Sequence, residues 1–166
     1  MSSPLFHVEM LGPQHNRATF RSGSAPLDRY FSEQVKQDVR RRVTACFVVL
    51  TDEQRVAGYY TLAATAIVLS ELPPALAKKL PRYPTVPAVR MGRLAVAKDF
   101  KGKGLGSALL ADALQRACNA EIAAFALVVD AKDKVAATFY THHGFSAFAA
   151  SQLTLFLPLA TARTQL

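Results

Sequence analysis

The chain has 166 residues, of which 51% are hydrophobic, and a formal net charge of +8 at pH 7. Its length suits one domain with a core of its own, and no apolar run approaches the roughly eighteen residues of a membrane-spanning helix. The amino terminus lacks the basic and apolar regions of a secretion signal, and the spacing of Cys46 and Cys118 suits neither a disulfide framework nor a metal site. We therefore expect one cytoplasmic domain, residues 1–166, with no metal.

The apolar pattern predicts strands and helices along the whole chain. A first strand is expected at 5–11, followed by a helix that Pro26 opens and by a hairpin of strands 44–50 and 55–68. The apolar face of that helix repeats every four residues, at Leu27, Phe31, Val35, Val39 and Val43. The remaining expected elements are a short helix at 73–80, a central strand at 86–97, a helix from 105, a strand at 124–130, a helix after 133 and a strand at 152–157.

A short basic turn with three glycines separates the central strand from the helix that follows it. The run 101–106 reads Lys-Gly-Lys-Gly-Leu-Gly. Glycines let the backbone approach a ligand closely, and the first turn of a helix presents unpaired N–H groups at the positive end of its dipole. The turn therefore predicts an anion site, with phosphate as the expected ligand. A tight strand-to-helix connection, with glycines for packing alone, is the alternative.

Spacing excludes the two commonest phosphate loops. A P-loop needs Gly-Lys-Ser/Thr, but Gly106 is followed by Ser107 and Ala108, and the dinucleotide fingerprint needs a third glycine where this chain has Ser107 or Leu109. The run 101–106 instead resembles the Gln/Arg-x-x-Gly-x-Gly/Ala loop of the GNAT N-acetyltransferases. This resemblance implies that backbone amides hold the pyrophosphate of acetyl-CoA. The cofactor-binding residues implied are Lys101, Gly102, Lys103, Gly104, Gly106 and Ser107.

A second GNAT signature lies downstream. The segment 133–145 reads Asp-x-x-Ala-x-x-Phe-Tyr-x-x-x-Gly-Phe, which looks like the later family signature with Asp133 in place of the usual Asn. Either residue can cap the helix that carries Tyr140. The two signatures together imply an α/β fold, a single GNAT-like domain whose mixed sheet has a bulged, splayed central strand and flanking helices. They also imply acetyl-CoA as acyl donor, with Asp133 among the cofactor-binding residues.

Tyr140 is the candidate general acid. When an amine attacks the thioester, the leaving CoA thiolate must be neutralised. A phenol with a reference pKa of about 10 is close enough to a thiol to transfer its proton in the transition state. From position alone a core aromatic is the alternative, because Phe139 and Tyr140 cannot both face inward on one helix. The GNAT resemblance favours the catalytic role.

The phase of the central strand slips at Gly92. Val89 and Met91 lie on one face, whereas Leu94 and Val96 have the opposite phase. Such a slip at a glycine predicts a β-bulge, although burial of both faces would produce the same apolar run. The GNAT resemblance implies that the freed amides hold the thioester carbonyl and the pantetheine arm. The backbone groups implied are those of Leu94, Ala95 and Val96.

The excess positive charge is concentrated in one segment. Residues 78–103 contain eight basic residues and one acidic residue, so they carry +7 of the net +8. CoA phosphates explain the lysines near the glycine turn, but the other cations predict a surface for a polyanion. The alternative is a solvated basic face that keeps the protein soluble. The candidate polyanion-binding residues are Lys36, Arg40, Lys78, Lys79, Arg82, Arg90 and Arg93.

A narrower resemblance indicates which polyanion this is. Segments spread over residues 20–145, including 56–62, 80–88 and 92–96, resemble the GNAT toxins of bacterial toxin–antitoxin modules, the TacT-like group. This resemblance implies transfer of acetyl to the α-amino group of an aminoacyl-tRNA, which blocks translation. It also implies a ribbon-helix-helix antitoxin and a toxin homodimer. The alternatives are a GNAT enzyme acting on a small amine or a peptide amine, and a non-catalytic CoA-binding module.

The central strand lacks acidic residues, and that absence suits an aminoacyl acceptor. A lysine amine, with a reference pKa of about 10.4, needs a base, whereas an α-amino group starts near about 8 and an esterified one lies lower. No Asp or Glu lies between Val86 and Ala97. A water molecule or a backbone carbonyl is therefore the expected proton acceptor.

Overall fold

The computed structural model describes residues 6–165. Its strands are β1 (His7–Met10), β2 (Ala45–Leu50), β3 (Val56–Val68), β4 (Thr85–Val96), β5 (Ala126–Asp130), β6 (Ser146–Phe148) and β7 (Ser151–Pro158). Its α-helices are α1 (Ala25–Arg29), α2 (Val35–Arg40), α3 (Pro74–Ala77), α4 (Leu105–Asn119), α5 (Lys134–His142) and α6 (Leu159–Arg163). The expected first strand is confirmed from His7 onward, and Leu5, its first expected residue, lies outside the described residues.

The strands form one mixed sheet in the order β1-β2-β3-β4-β5-β7-β6. β4 and β5 are parallel, whereas β1/β2, β2/β3, β5/β7 and β6/β7 are antiparallel. A parallel pair needs a crossover connection, and α4 supplies it between β4 and β5. The mixed sheet with flanking helices confirms the predicted fold class.

By its internal packing the chain divides into two compact units. The first comprises the residues up to Ala63 together with Gly92–Ala113, and the second comprises Ala64–Met91 together with the residues from Leu114 onward. Strands β3 and β4 each pass from one unit into the other. Each unit has a hydrophobic core of its own.

The core of the first unit is built on three aromatic rings. Phe31 and Tyr59 stack with their centroids 4.3 Å apart, and Phe20 packs edge-on against both. Such aromatic pairs contribute more stability than their buried area alone. The hydroxyl of Tyr59 donates to the carbonyl oxygen of Leu27 at 2.7 Å. The helical segment is thereby anchored to β3 by packing and by a satisfied buried hydroxyl.

The core of the second unit lies on one face of β4 and β5. Val86 of β4 and Val128 of β5 pack with Ile67. The rings of Phe148 and Phe156, from the β6–β7 hairpin, lie 4.8 Å apart beside them. The paired ends of β4 and β5 therefore rest on a close-packed apolar floor.

The apolar repeat predicted one regular helix from Pro26, but the structure shows that this helix is interrupted. A π-helical turn at Tyr30–Gln34 separates α1 from α2. Such a turn leaves carbonyl groups without their usual helical partners, and Arg17 Nη1 donates to those of Phe31 and Ser32 at 2.9 and 3.0 Å. The expected apolar position Val43 is 59% exposed because it lies beyond the end of α2. The prediction is wrong on both points.

A close approach between β3 and β4 makes Gly58 a sensitive position. A Cβ on Gly58 would lie 2.8 Å from the carbonyl oxygen of Ala95 and 3.0 Å from Leu109 Cδ1, whereas a Cβ on Gly92 would first meet Thr61 Oγ1 at 3.7 Å. We expect Gly58→Ala to lower the free energy of unfolding by about 1–3 kcal/mol, as overpacking does. Gly92→Ala, the matched control, should lower it far less. Urea denaturation measures both, and equal losses would contradict the expectation.

Candidate active site

The glycine turn between β4 and α4 forms an open loop. A 3-10 turn at Lys98–Phe100 leads into it, and Gly102 and Gly104 have φ angles of +79° and +80°. Residues with a side chain avoid these angles, yet a Cβ on either glycine would meet nothing within 4 Å. Backbone conformation, and not crowding, therefore requires both glycines. Packing alone does not account for them, and the space beside them is open to a ligand.

The start of α4 supplies hydrogen-bond donors next to this loop. The N–H of Ala108 donates to the carbonyl of Gly104 at 3.0 Å. The N–H groups of Leu105 and Gly106 come earlier in the chain, in the first turn of α4. Groups in this position point out of the helix end, where the dipole favours an anion. Ser107 is exposed in the same turn. The geometry suits phosphate binding by backbone amides.

Three lysines surround the loop. A Cβ on Gly23 would lie 3.2 Å from Lys98 Cε and 3.6 Å from Lys101 Nζ, so both side chains pass over that glycine. The ammonium group of Lys103 lies 5.4 Å from the ring centroid of Phe100. This concentration of positive charge beside the helix end suits a ligand with several phosphate charges.

Arg55 also reaches the loop, although it belongs to the β2–β3 hairpin. Its Nη2 lies 2.7 Å from Asp99 Oδ2, and its Cζ lies 5.0 Å from the ring centroid of Phe100. The hydrogen bond and charge of Arg55 hold the pKa of Asp99 below its usual value, so Asp99 stays ionised. Sequence reasoning missed Arg55 because 44 residues separate it from Asp99 and no local pattern marks it.

β4 continues past its pairing with β5. The parallel register joins Ala88–Met91 to Ala126–Val129, and β4 then runs on to Val96. The buried residues of β4 are Val86 and Ala88 in its first half and Met91 and Ala95 in its second half, so the buried positions change from even to odd residue numbers. The change lies between Ala88 and Met91, because Met91 and Ala95, the buried residues on either side of Gly92, share one phase and Leu94 and Val96 are only half-buried. The predicted slip at Gly92 itself is therefore wrong. The bulge and the splay themselves stay predictions.

The backbone of β4 beyond this point is turned in a definite direction. The N–H of Ala97 donates to a carbonyl of β3 at 2.8 Å, and the carbonyl of Ala95 faces Gly58 of the same strand. Because backbone groups alternate in direction along a strand, Leu94 and Val96 present theirs away from β3. Of the three predicted backbone ligands, Leu94 and Val96 have backbone groups directed away from β3, and those of Ala95 are directed toward it; their role in cofactor binding stays a prediction.

Asp133 caps α5, as the sequence predicted. Its Oδ1 accepts a hydrogen bond from the N–H of Ala136 at 2.9 Å. This satisfies one of the unpaired donors at the start of the helix. The cofactor-binding role of Asp133 stays a prediction.

Tyr140 is a buried phenol on α5. Its side chain is 3% exposed, and its ring centroid lies 5.2 Å from that of Phe139 and 5.7 Å from that of Phe145. Burial, and to a smaller extent the negative charge of Asp130, raise the pKa of Tyr140 above its ordinary value of about 10. The phenol is therefore protonated throughout the physiological pH range, as a proton donor must be.

The glycine loop and the Tyr140 helix fall within one known domain. Residues 43–147 match the acetyltransferase (GNAT) domain. The chain belongs to the GNAT acetyltransferase family. It is accordingly an acetyl-CoA-dependent N-acetyltransferase, which confirms the predicted enzyme class and acyl donor.

This GNAT chain is similar to toxin-type members of the family. It is 33% identical over 147 residues to the tRNA-acetylating toxin of Mycobacterium tuberculosis (strain ATCC 25618 / H37Rv), with 87% of each chain covered. A structure of AtaT complexed with acetyl-methionyl-tRNAfMet matches with a TM-score of 0.89 at 26% identity, covering 96% of this chain and 98% of that one. A structure of AtaTR bound with AcCoA matches with a TM-score of 0.85 at 25% identity, covering 96% and 97%.

Arg90 of the GNAT sheet is held by an ion pair. Its Nη1 lies 2.7 Å from both carboxylate oxygens of Asp130. The two side chains are 41% and 36% exposed, so water still reaches the pair. Arg90 was expected among the cations that bind a polyanion, but here its charge is compensated within the second unit.

Arg93 rests on an aromatic ring. Its Cζ lies 3.4 Å from the ring centroid of Tyr30, and the hydroxyl of Tyr30 donates to Asp38 Oδ2 at 2.8 Å. Hydrogen bonds from Gln34 and Tyr30 lower the pKa of Asp38, so this carboxylate stays ionised near Arg93. A π-helical turn of the kind that carries Tyr30 is frequent at functional sites. The guanidinium group is thus held over the ring.

The other candidate cations of this GNAT chain are exposed. Lys36 and Arg40 project from α2 in the first unit, and Lys78, Lys79 and Arg82 follow α3 in the second. Over residues 6–165, no group of three or more His, Cys, Asp and Glu side chains is arranged to hold a metal ion. None of the helices in the same range has the length and apolar character needed to cross a membrane.

The loop lysines should contribute charge to acetyl-CoA binding. An exposed charge pair is worth about 0.2–1 kcal/mol, so we expect the Lys101→Ala, Lys103→Ala double variant to raise the Kd roughly fivefold at low salt. The loss should shrink in about 0.5 M salt because screening weakens the charges in the parent protein. Lys36→Ala, which removes an exposed lysine of α2, is the matched control. Isothermal titration calorimetry measures all three, and an unchanged Kd in the double variant would contradict this role.

Proposed function

We propose that this enzyme is a toxin that acetylates the α-amino group of an aminoacyl-tRNA and so arrests translation. The observation that carries the proposal is its 33% identity, across 87% of both chains, to a tRNA-acetylating toxin. The structural similarity to AtaT complexed with acetyl-methionyl-tRNAfMet supports it further. Exposed cations away from the proposed cofactor site support the proposal independently of these similarities.

The positive charge of the protein is concentrated in the segment 78–103. It carries seven of the eight net positive charges, and the loop lysines account for only part of them. Lys78, Lys79 and Arg82 are exposed beyond the loop, and each phosphate contact by such a cation adds salt-dependent affinity. A small amine or a peptide acceptor would have no use for them. We propose that these residues, with Lys36 and Arg40, contact the tRNA phosphates, and that Arg90 and Arg93, which Asp130 and the Tyr30 ring hold in place, border the tRNA without pairing with a phosphate.

The acceptor amine needs no dedicated catalytic base in this reaction. The esterified α-amino group loses its proton more readily than a lysine amine, whose reference pKa is about 10.4. β4 has no carboxylate between Val86 and Ala97, so a water molecule or a backbone carbonyl takes the proton as nitrogen attacks the thioester carbon. The new C–N bond forms, the C–S bond breaks, and the electron pair leaves with sulfur.

Tyr140 then acts as general acid in this proposal. Its phenol donates a proton to the departing CoA thiolate, which leaves as the thiol. The raised pKa keeps the proton on Tyr140 until negative charge develops on sulfur. The loop residues from Lys101 to Ser107 hold the pyrophosphate through backbone amides and lysine charges, with the backbones of Leu94 and Val96 and the side chain of Asp133 completing the cofactor contacts.

The proposed partners follow from the same toxin group. We propose that the toxin forms a homodimer and is neutralised by an antitoxin with a ribbon-helix-helix part. We also propose that residues 1–166 act as one catalytic domain. A monomer in light scattering would contradict the dimer, and purification with a co-expressed candidate antitoxin would test the complex.

The acceptor can be identified directly. Incubation with labelled acetyl-CoA and a pool of aminoacyl-tRNAs, deacylated tRNAs, polyamines and peptides should place label on aminoacyl-tRNA only. Deacylated tRNA is the matched control, because it keeps every phosphate and lacks the amine. Label confined to peptides or polyamines would contradict the toxin proposal, and no label on any acceptor would favour a CoA-binding module.

The general acid can be tested by removing one oxygen atom. We expect Tyr140→Phe to lower kcat at least a hundredfold, within the range of general acid catalysis of about 10²–10⁴. The Kd for acetyl-CoA should stay unchanged because the ring is retained. Tyr83→Phe, at a tyrosine that is 64% exposed, is the control. An unchanged kcat in Tyr140→Phe would remove this residue from the mechanism.

The raised pKa of Tyr140 also predicts a pH profile. A phenol of ordinary pKa would begin to lose its proton near pH 9, which would lower the fraction of enzyme able to donate. Because burial shifts the pKa upward, that loss moves to higher pH. We expect kcat to hold steady between pH 8 and about 9.5, and a decline across that interval with a midpoint below about 10 would contradict the shift.

A further inference from the structure

A separate cavity of about 230 Å³ opens in the second unit, beside the paired ends of β4 and β5. Its floor is formed by side chains of the second core, and its rim by the β6–β7 hairpin and the segment that follows β3. Its principal lining residues are Ile67, Glu71, Arg90, Val128, Phe148 and Ala150. None of the predicted cofactor-binding residues lines it.

The floor of this cavity is apolar and closely packed. Ile67, Val128 and Phe148 are each less than a tenth exposed and belong to one packed cluster. The rim adds the hydroxyl groups of Ser151 and Thr154. The lining thus combines an apolar floor with a polar rim, a mixture that small-molecule sites also show, and the cavity lies below the roughly 300–1,000 Å³ of pockets for drug-sized ligands. It has room for a group the size of one amino-acid side chain.

The cavity is connected to the general acid through two residues. Arg90 and Val128, both in its wall, are partners in the β4–β5 register. Arg90 donates to both oxygens of Asp130, which follows Val128 by two positions on β5. Asp130 is also close enough to Tyr140 for its charge to act on the phenol. A group seated in the cavity is therefore one ion pair away from the residue proposed to protonate the thiolate.

The charges at the cavity indicate which side chains it accepts. Arg90 is the cation in the wall, and Asp130 already compensates it. Glu71 adds an exposed carboxylate at the rim. An acidic group entering here would meet Glu71 and Asp130 with no free cation to pair with, while an apolar group would bury surface against Ile67 and Phe148.

We propose that this cavity receives the side chain of the amino acid carried by the tRNA and so selects apolar aminoacyl-tRNAs over glycyl-tRNA and acidic ones. The inference rests on the proposed aminoacyl-tRNA acetylation. Apolar pockets discriminate side chains by up to about 200-fold for one methylene group, so the preference is measurable.

The test uses Ala150→Phe, which narrows the cavity at its exposed rim and leaves the packed floor unchanged. One tRNA body charged with glycine, leucine, methionine, phenylalanine or glutamate serves as the acceptor series, and kcat/KM is measured for each. The parent enzyme should favour leucine, methionine and phenylalanine over glycine and glutamate. In Ala150→Phe, kcat/KM for these three should fall about tenfold relative to glycine, because the added ring fills the space they occupy.

The chain offers a matched control in the same hairpin. Ala147 is also an exposed alanine, but it lines a different cavity of about 520 Å³ with residues of α5. Ala147→Phe should leave the ratios among acceptors unchanged. Phe148→Leu, which widens the floor, should shift the preference toward phenylalanine, with its thermal midpoint recorded to establish that it folds.

The outcomes distinguish failure of the proposed function from failure of the proposed role of the cavity. If the parent enzyme acetylates none of the charged tRNAs, the proposed function fails and the cavity inference fails with it. If it acetylates them but Ala150→Phe keeps the parent ratios, the function stands and the cavity inference is overturned. Equal changes in Ala150→Phe and Ala147→Phe would also overturn it, because they would show an effect of the hairpin and not of the cavity.

Discussion

The feature on which the rest of the structure depends is the limited pairing of β4 with β5. The parallel register ends at Met91, yet β4 continues to Val96. A strand that keeps its extended backbone after losing a neighbour presents donors and acceptors that need another partner. On its other side β4 stays committed to β3, with Ala95 facing Gly58. This arrangement leaves the backbone groups of Leu94 and Val96 available, so the proposed thioester site is a consequence of sheet topology.

Positive charge in this protein is divided between compensated and free cations. Arg55 is paired with Asp99 and Arg90 with Asp130, each at 2.7 Å, while Arg93 lies on the Tyr30 ring. These arginines are fixed in direction, and they hold neighbouring groups in place more than they attract distant anions. The exposed lysines keep their charges in contact with water, which suits phosphate contacts of low specificity and strong salt dependence. Net charge alone does not distinguish the paired arginines from the exposed lysines.

Local signals in the sequence predicted those elements of the candidate site that depend on local structure. The glycine loop, the Asp133 cap and the position of Tyr140 each depend on spacings of a few residues, and their elements were predicted correctly. The π-helical turn was missed because an apolar repeat of four residues does not distinguish an α-helix with a wide turn from a regular one. The Arg55–Asp99 and Arg90–Asp130 pairs were missed because 44 and 40 residues separate their members. The cavity beside Arg90 needs four segments to come together, which no local pattern encodes.

The buried setting of Tyr140 bears on how the reaction ends. A phenol whose pKa is raised above about 10 is a poor acid toward a free thiolate of reference pKa about 8.5, so donation is useful only while the C–S bond is breaking. In the proposed mechanism, the phenolate that remains after donation is buried and lies within the field of Asp130, and both effects destabilise it. It therefore regains a proton readily and returns to its active form.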